Sequence, residues 1–256
     1  MIDPRAVVSA KAELAPDVSV GAFAVIGDGV TIGARTVVGP HAIVNGPTSI
    51  GEDNRIFQFA SIGDAPQDKK YKGEPTRLEV GDRNVFREFC TVNRGTTHDR
   101  GLTTIGSDNL FMAYNHVAHD CVLGDKIVMS NCATLGGHVH LGDWVIMGGL
   151  SAVHQFTHVG PHCFIANNAA VTRDVPPYIM TVGQPAEAHS VNSEGLKRRG
   201  FTEGQIRNIK QAFRLLYRRK LKLADALEQI EALAREEPAL AGFVEFIRQS
   251  SRSIVR

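Results

Sequence analysis

The 256-residue chain is short of tryptophan (one), tyrosine (four) and cysteine (four), and it is nearly without net charge. Each shortage excludes something. A formal charge of +1 is too small for a nucleic acid to be the main partner. The cysteines, Cys90, Cys121, Cys132 and Cys163, are scattered with no CxxC pair, and read as reduced core thiols in a reducing compartment. No apolar run approaches the length of a bilayer span. The opening "MIDPRAVV" has no basic region followed by an apolar stretch, so no secretory leader is expected. These absences predict a cytoplasmic protein with no stable membrane insertion. What is present is 43% hydrophobic content, enough for a sizeable core in one or two domains.

The small net charge hides an asymmetry. Residues 193–256 carry 14 Lys and Arg against 8 Asp and Glu, and residues 1–192 carry 14 against 19. A basic segment on an acidic body suits docking to an acidic partner, although solvated helix faces give the same count.

The ordering feature is a period of six. Aliphatic residues recur at Ile2, Val8, Leu14, Val20, Ile26, Ile32, Val38, Val44, Ile50, Ile56 and Ile62. The phase returns at Val80, Phe86 and Val92, then resumes one residue out of step from Ile105 to Val171. Such a period fits neither a helical stripe nor a long strand. It fits a short strand and a turn, repeated, with one inward aliphatic per side and Gly, Asn or Asp where the chain bends. Three sides close a triangular coil of about 18 residues, and stacked coils pair into parallel sheets. At about 4.8 Å per coil, nine or ten coils make a prism roughly 45 Å long. A dry aliphatic interior leaves no room for a ligand, so chemistry belongs on outer faces, inserted loops or subunit boundaries.

Two polar segments, 63–79 and 93–104, interrupt the period and are expected to be loops pushed out of the coil. Beyond Asn192 the rhythm gives way to helical spacing. Thr202 is a plausible N-cap before "EGQIRNIKQAFRLLYRR", with Ile206, Ile209, Phe213 and Leu216 on one face. "LADALEQIEALARE" and "PALAGFVEFIRQ" read as two further helices. The expected organisation is therefore a mainly β coil over 1–192 and a small α-helical domain over 193–256.

Candidate chemistry gathers at "NHVAHDC", residues 115–121. Counting from inward Val117, His119 lies near a corner, and Gly137 and Gln155 follow it by 18 and 36 residues, so they stack over it on successive coils. His138 stands beside Gly137, and His116 approaches from the preceding side. Three readings of this patch stay open on spacing alone. The histidines could be corner residues satisfied by water. His116, His119 and His138 could ligate zinc, as in carbonic-anhydrase-like trimers. Or His119 could be a general base whose tautomer Asp120 holds.

The [LIV]-G-x-x-x-x repeats, ending in "DVPPY" and "GQPA", resemble the hexapeptide acyltransferases, whose left-handed prisms run against the usual crossover rule and assemble as homotrimers. Within that superfamily, "QDKKYKGEPTRLEVGDRN", "SDNLFMAYNHVAHDC", "NCATLGGHVHLGD", "GGLSAVHQF" and "VNSEGLKRRGF" resemble the UDP-N-acetylglucosamine O-acyltransferases of lipid A synthesis, end to end. The resemblance implies a left-handed parallel β-helix. It implies transfer of a 3-hydroxyacyl group from the phosphopantetheine thioester of acyl carrier protein to the sugar 3-hydroxyl, with no metal and no bound cofactor.

Carried over by position, the resemblance makes His119 the base, Asp120 its partner and Gly137 N–H the oxyanion donor. Asp68, Lys70, His116 and His138 hold the sugar. Gln155, Asn192, Glu194, Arg198 and Arg199 lie along the nucleotide, in a site between neighbouring subunits. Asn167 takes the place of the acyl-chain ruler, where its bulk predicts a shorter acyl group than glycine admits. Where the family commonly has "HRGT" this chain has "NRGT", so Asn93 replaces a histidine near the site. The N-acyltransferase of the same pathway, acting on an amine, is a rival that normally carries an extra N-terminal domain, whereas here the repeat starts at Ile2.

Overall fold

The computed structural model describes all residues, 1–256, and the six-residue period appears in it as two- to four-residue strands separated by tight turns. The strands collect into three sheets. The first runs from Val7–Val8 to Ala170–Val171 in nine strands, the second from Glu13–Leu14 to His158–Val159 in eight, and the third starts at Ser19–Val20 and has ten. Successive strands of the chain pass from first to second to third sheet, and pairing within each sheet is parallel from coil to coil. The coil is a left-handed parallel β-helix. Every inward aliphatic anticipated from Val20 to Val171 is buried, and the core is one continuous cluster. Parallel strands this short are held by packing: the aliphatic column and the ladder hydrogen bonds extend together with each coil.

The edges between sheets are built by turns in which one residue takes the left-handed conformation, as at Arg35 (φ 59°), Phe59 (φ 62°), Asp120 (φ 60°) and His138 (φ 62°). The coils approach so closely before the second-to-third edge that a methyl on Gly33 would stand 2.7 Å from the Gly51 carbonyl carbon, which is why glycine follows the aliphatic residue there. Inside the same edge a buried asparagine column links the coils. Asn84 N–H donates to Asn54 Oδ1 (2.9 Å) and Asn109 N–H to Asn84 Oδ1 (3.0 Å).

The two interruptions are shorter than the sequence expectation of 63–79 and 93–104. Strands Ser61–Asp64, Arg77–Val80, Thr91–Asn93 and Leu102–Ile105 extend into them, leaving 65–76 and 94–101 as loops. The reason is burial: Leu78 and Thr103 turn inward, and Arg77–Val80 pairs residue for residue with Leu102–Ile105. Both loops leave the same first-to-second edge. Arg94, itself buried, ties them together by donating to the Gly63 carbonyl (2.6 Å) and the Tyr71 hydroxyl (3.2 Å).

The coil ends in an antiparallel strand, Glu187–Val191, against Ile179–Val182. Then α1 (Ser193–Arg198), α2 (Glu203–Tyr217), α3 (Leu223–Ala234) and α4 (Ala241–Gln249) follow. Thr202 does cap α2, in a capping box with Gln205. The short α1, capped by Asn192, has no counterpart in the helical spacing because one turn and a half is too brief to show a stripe. The C-terminal residues return to the coil: Asp174 N–H donates to the Ser253 carbonyl (3.1 Å), and Arg252 Nη1 to the Gln155 carbonyl (2.6 Å).

Candidate active site

His119 and Asp120 stand in the turn between His116–Val117 and Val122–Leu123, on the first-to-second edge beneath the two loops. The Asp120 carboxylate is buried and is held by two residues. Thr96, on the second loop, donates its N–H to Oδ1 (2.9 Å) and its hydroxyl to Oδ2 (2.7 Å), and His119 Nδ1 lies 2.8 Å from Oδ2. Burial pushes this carboxyl up, but the hydrogen bonds from His119 and Thr96 outweigh it and the net shift is downward. An ionised carboxylate at Nδ1 fixes the proton there, which leaves the lone pair on Nε2. Nε2 has no protein hydrogen bond.

Gly137 lies one coil on, and a methyl there would sit 2.6 Å from His119 Cε1. Glycine is required: the bare backbone lets the imidazole lie against it, and the Gly137 N–H donates to no backbone carbonyl. The next residue, His138, meets His119 edge to face, with ring centroids 5.0 Å apart. Its Nδ1 is 2.7 Å from Asp99 Oδ2 on the second loop, and its ring stacks on Phe156 at 4.2 Å.

Thr96, Asp99, His119, His138 and Phe156 line an open cleft of about 870 Å³, with Asp120 and Gly137 buried behind them. The structure brings together Asp68, Lys70, His119, His138 and Gln155, all five singled out from the sequence, with Asp68 and Lys70 arriving on the first loop. Thr96, His98, Asp99 and Phe156 also line it and were not anticipated. The available signal was weak: Phe156 is one residue after Gln155, and the other three lie in a polar interruption whose fold over the edge no spacing reveals.

Other expected residues are elsewhere. His116 is outside the cleft lining, on the outer face of the first sheet, where Nδ1 meets Thr91 Oγ1 at 2.8 Å; burial lowers its pKa and keeps the ring neutral. Asn93 is buried, with Nδ2 donating to the Ala65 carbonyl (2.9 Å). It serves as a brace between coil and first loop rather than as part of the lining. Asn167 is exposed and accepts from Gly149 N–H (2.9 Å). Asn192, Glu194, Arg198 and Arg199 line a second, mostly apolar cavity of about 390 Å³ with Lys126, Trp144 and Phe164, against the third sheet. Within the single chain, Gln155 therefore lies in the His119 cleft, and Asn192, Glu194, Arg198 and Arg199 in a separate cavity.

Comparison with known proteins converges on one family. Residues 174–255 match the family model described as "Udp N-acetylglucosamine O-acyltransferase; Domain 2", and residues 11–46 match the six-repeat bacterial transferase hexapeptide model. The acyl-[acyl-carrier-protein]–UDP-N-acetylglucosamine O-acyltransferase of Janthinobacterium sp. (strain Marseille) is 54% identical over 260 residues, covering 100% of this chain and 99% of the relative. The chain belongs to the UDP-N-acetylglucosamine O-acyltransferase family. Two solved members agree in structure. The enzyme of Moraxella catarrhalis RH4 superposes with a TM-score of 0.98 at 42% identity, covering 100% of this chain and 99% of that one. That of Francisella novicida gives the same TM-score and identity, covering 100% and 94%.

Membership in the O-acyltransferase family places the chain apart from the amine-acylating rival and from carbonic-anhydrase-like trimers. The geometry agrees on the second point. The ligating atoms that converge within 4.8 Å belong to His119, Asp120 and His138, without His116. Asp120 already accepts from Thr96 and His119, and His138 is engaged by Asp99. The cluster is thus two hydrogen-bonded groups, Thr96–Asp120–His119 and Asp99–His138, side by side.

Proposed function

We propose that the protein transfers a 3-hydroxyacyl group from acyl carrier protein to the 3-hydroxyl of UDP-N-acetylglucosamine, the first step of lipid A biosynthesis, in the cytoplasm. No helix is long and apolar enough to cross a membrane, and four free cysteines fit a reducing compartment. The observation that carries the chemistry is the 2.8 Å contact of Asp120 with His119 Nδ1 above the bare Gly137 backbone.

His119 Nε2 takes the proton of the sugar hydroxyl as its oxygen attacks the thioester carbonyl carbon. Asp120 stabilises the resulting imidazolium. The tetrahedral oxyanion accepts a hydrogen bond from Gly137 N–H. Collapse breaks the C–S bond, and the imidazolium returns its proton to the departing phosphopantetheine thiolate. Asp68, Lys70 and His138 orient the sugar, with His116 supporting from the first sheet. Gln155, Asn192, Glu194, Arg198 and Arg199 hold the nucleotide, and Asn167 limits the acyl chain. The co-substrate carries its own reactive thioester, so the scheme has no metal or bound cofactor.

The reading includes a homotrimer, because Asp68, Lys70, His119, His138 and Gln155 of one chain line one cavity whereas its Asn192, Glu194, Arg198 and Arg199 line another. Two features support a closed ring of three copies. A first-to-second edge pressed toward a neighbour's third sheet would join one copy's His119 cleft to the other's Arg199 cavity. That arrangement turns every third-to-first edge toward the axis. This edge carries Phe23, His41, Phe59, Phe89 and Tyr114 stacked at 4.8–5.4 Å, all exposed in the single chain. An exposed aromatic column of that length is expected at an interface. The basic groove of α1 and α2, lined by Lys197, Arg207, Lys210 and Arg214, suits acidic acyl carrier protein.

The test is His119→Ala assayed with UDP-N-acetylglucosamine and 3-hydroxyacyl carrier protein. Turnover is expected to fall about 10²–10⁴-fold with the thermal midpoint unchanged. Near-normal turnover would remove the proposed base.

A further inference from the structure

The sequence gives no role to His162, and it lines neither cavity, yet two of the residues placed along the nucleotide converge on it. It occupies the second-to-third edge, in the left-handed conformation (φ 61°). Its ring packs between Tyr178 and Trp144, with centroids 5.7 and 6.3 Å away, and meets the Phe201 ring edge-on at 5.2 Å. Arg199 Nη1 stands 3.1 Å from His162 Nδ1. The Asn192 side-chain amide donates to the His162 carbonyl at 2.9 Å, and Asn192 Oδ1 accepts from Gly195 N–H at 3.2 Å to cap α1. One residue of the coil thus registers both ends of that helix, its N-cap Asn192 and its C-cap Arg199.

Arg199 is the unusual partner. Neighbouring Arg198 pairs with Glu194 (3.1 Å), but Arg199 has no carboxylate. Its protein contacts are the His162 nitrogen and the Trp144 ring, 5.1 Å from the guanidinium carbon. A guanidinium is a donor at every nitrogen, so His162 Nδ1 must accept and the ring must be neutral. Burial, reinforced by the Arg199 charge, lowers the His162 pKa to about 4, which keeps it so. A neutral acceptor holds the cation in place without cancelling its charge, as a carboxylate would. The remaining N–H groups are left for an anion in the cavity.

We infer that His162 is a positioning residue: its neutral imidazole holds Arg199 as an uncompensated guanidinium aimed at the diphosphate of the sugar nucleotide. The inference rests on the nucleotide reading of the second cavity proposed above. It differs from a packing role in its dependence on one acceptor atom.

Trp144 is the single tryptophan of the chain and lines that cavity, so its fluorescence reports occupancy without any turnover. The experiment titrates the full-length protein with UDP. His162→Phe keeps a stacking ring and removes the acceptor; Phe59 already holds the same turn conformation at φ 62° on another edge. His162→Asn places an amide oxygen near the Nδ1 position, and Asn readily adopts positive φ. Should the Phe variant not fold, His162→Ala removes the same acceptor and takes its place.

The expected result is UDP affinity about tenfold weaker in the Phe variant, restored to within about threefold in the Asn variant, with KM for the sugar nucleotide rising in parallel and kcat little changed. Unchanged affinity in the Phe variant would overturn the inference, and equal weakening in both variants would assign the effect to ring shape and overturn it as well. If the unsubstituted protein itself fails to bind UDP, the nucleotide reading is what falls, and this inference falls with it.

Discussion

On the second-to-third edge, Arg35, Asp53, Arg83 and Asp108 succeed one another coil by coil, and the guanidinium of Arg35 closes a bidentate pair with Asp53 as Arg83 does with Asp108. On the first-to-second edge, the equivalent turn residues are Asp120, His138 and Phe156, with the same left-handed φ near 60°. Over these four coils the charged column is closed on itself, each charge answered by its neighbour, before it continues to Trp144 and His162. In the other, the answer to Asp120 comes from a loop residue, Thr96, and from His119, while His119 Nε2 is left facing a cleft. The backbone repeat is the same on both edges. Function begins where neighbours in the column stop satisfying each other and an inserted loop takes over part of the task.

The sharpest way to break this comparison is to remove charge at one residue of each edge. Asp120→Asn keeps the shape but loses a buried, triply bonded carboxylate and its hold on the His119 tautomer. Turnover is expected to fall about 10²-fold, and stability at neutral pH by about 1–3 kcal/mol. The pH dependence has a definite sign. The folded Asp120 carboxyl titrates below its ordinary value of 3.8, so its stabilisation is complete above that value and is lost as pH falls through the folded pKa. Urea midpoints of the two proteins should therefore differ at pH 6 and draw together below about pH 4. A constant gap down to pH 2 would show that Asp120 does not titrate in this way. Asp108→Asn on the other edge, half-exposed, is expected to leave turnover unaltered.

The two edges were also unequally legible. The prism follows from the sequence because each coil repeats one short-range rule, an aliphatic residue every six positions, and because Val117 fixes the stacking of His119, Gly137 and Gln155. The helices α2 to α4 follow from ordinary amphipathic spacing. What could not be read depends on chain returning from a distance. The second loop brings Thr96 onto Asp120 and Asp99 onto His138, the two loops are tied through Arg94 and Tyr71, and Arg252 reaches Gln155 from the C-terminus. No period records such contacts. His162 was missed for a related reason: its partners, Arg199 and Asn192, lie 37 and 30 residues away, at the two ends of a helix too short to announce itself.

A smaller effect is expected at Asn167. Its side chain lies over the backbone of the preceding coil, accepting from Gly149 N–H, so it narrows the surface there instead of pointing freely outward. Asn167→Gly removes this obstruction. The ratio of turnover on long over short 3-hydroxyacyl carrier proteins should rise about tenfold or more, measured across thioesters of graded length, while UDP affinity stays constant. An optimum already at the longest chain in the unsubstituted protein would remove Asn167 from the role of ruler.

The least effect is expected on the closed edge. Arg83 donates Nε–H to Asp108 Oδ1 at 2.7 Å and Nη2–H to Oδ2 at 3.0 Å, a good bidentate geometry, but both side chains are partly in water. Solvent competes for the same donors, and ordering two side chains offsets much of the attraction. The coil beneath them is already held by the Asn54–Asn84–Asn109 column and the ladder bonds, so the pair adds little that the backbone lacks. Arg83→Ala should change turnover by less than about twofold, and the shift in thermal midpoint should be small and shrink further in 1 M salt, where the screening length is about 3 Å. A large, salt-independent loss of stability would mean that the charged column carries the prism, and the contrast between the two edges would have to be redrawn as one between two structural elements.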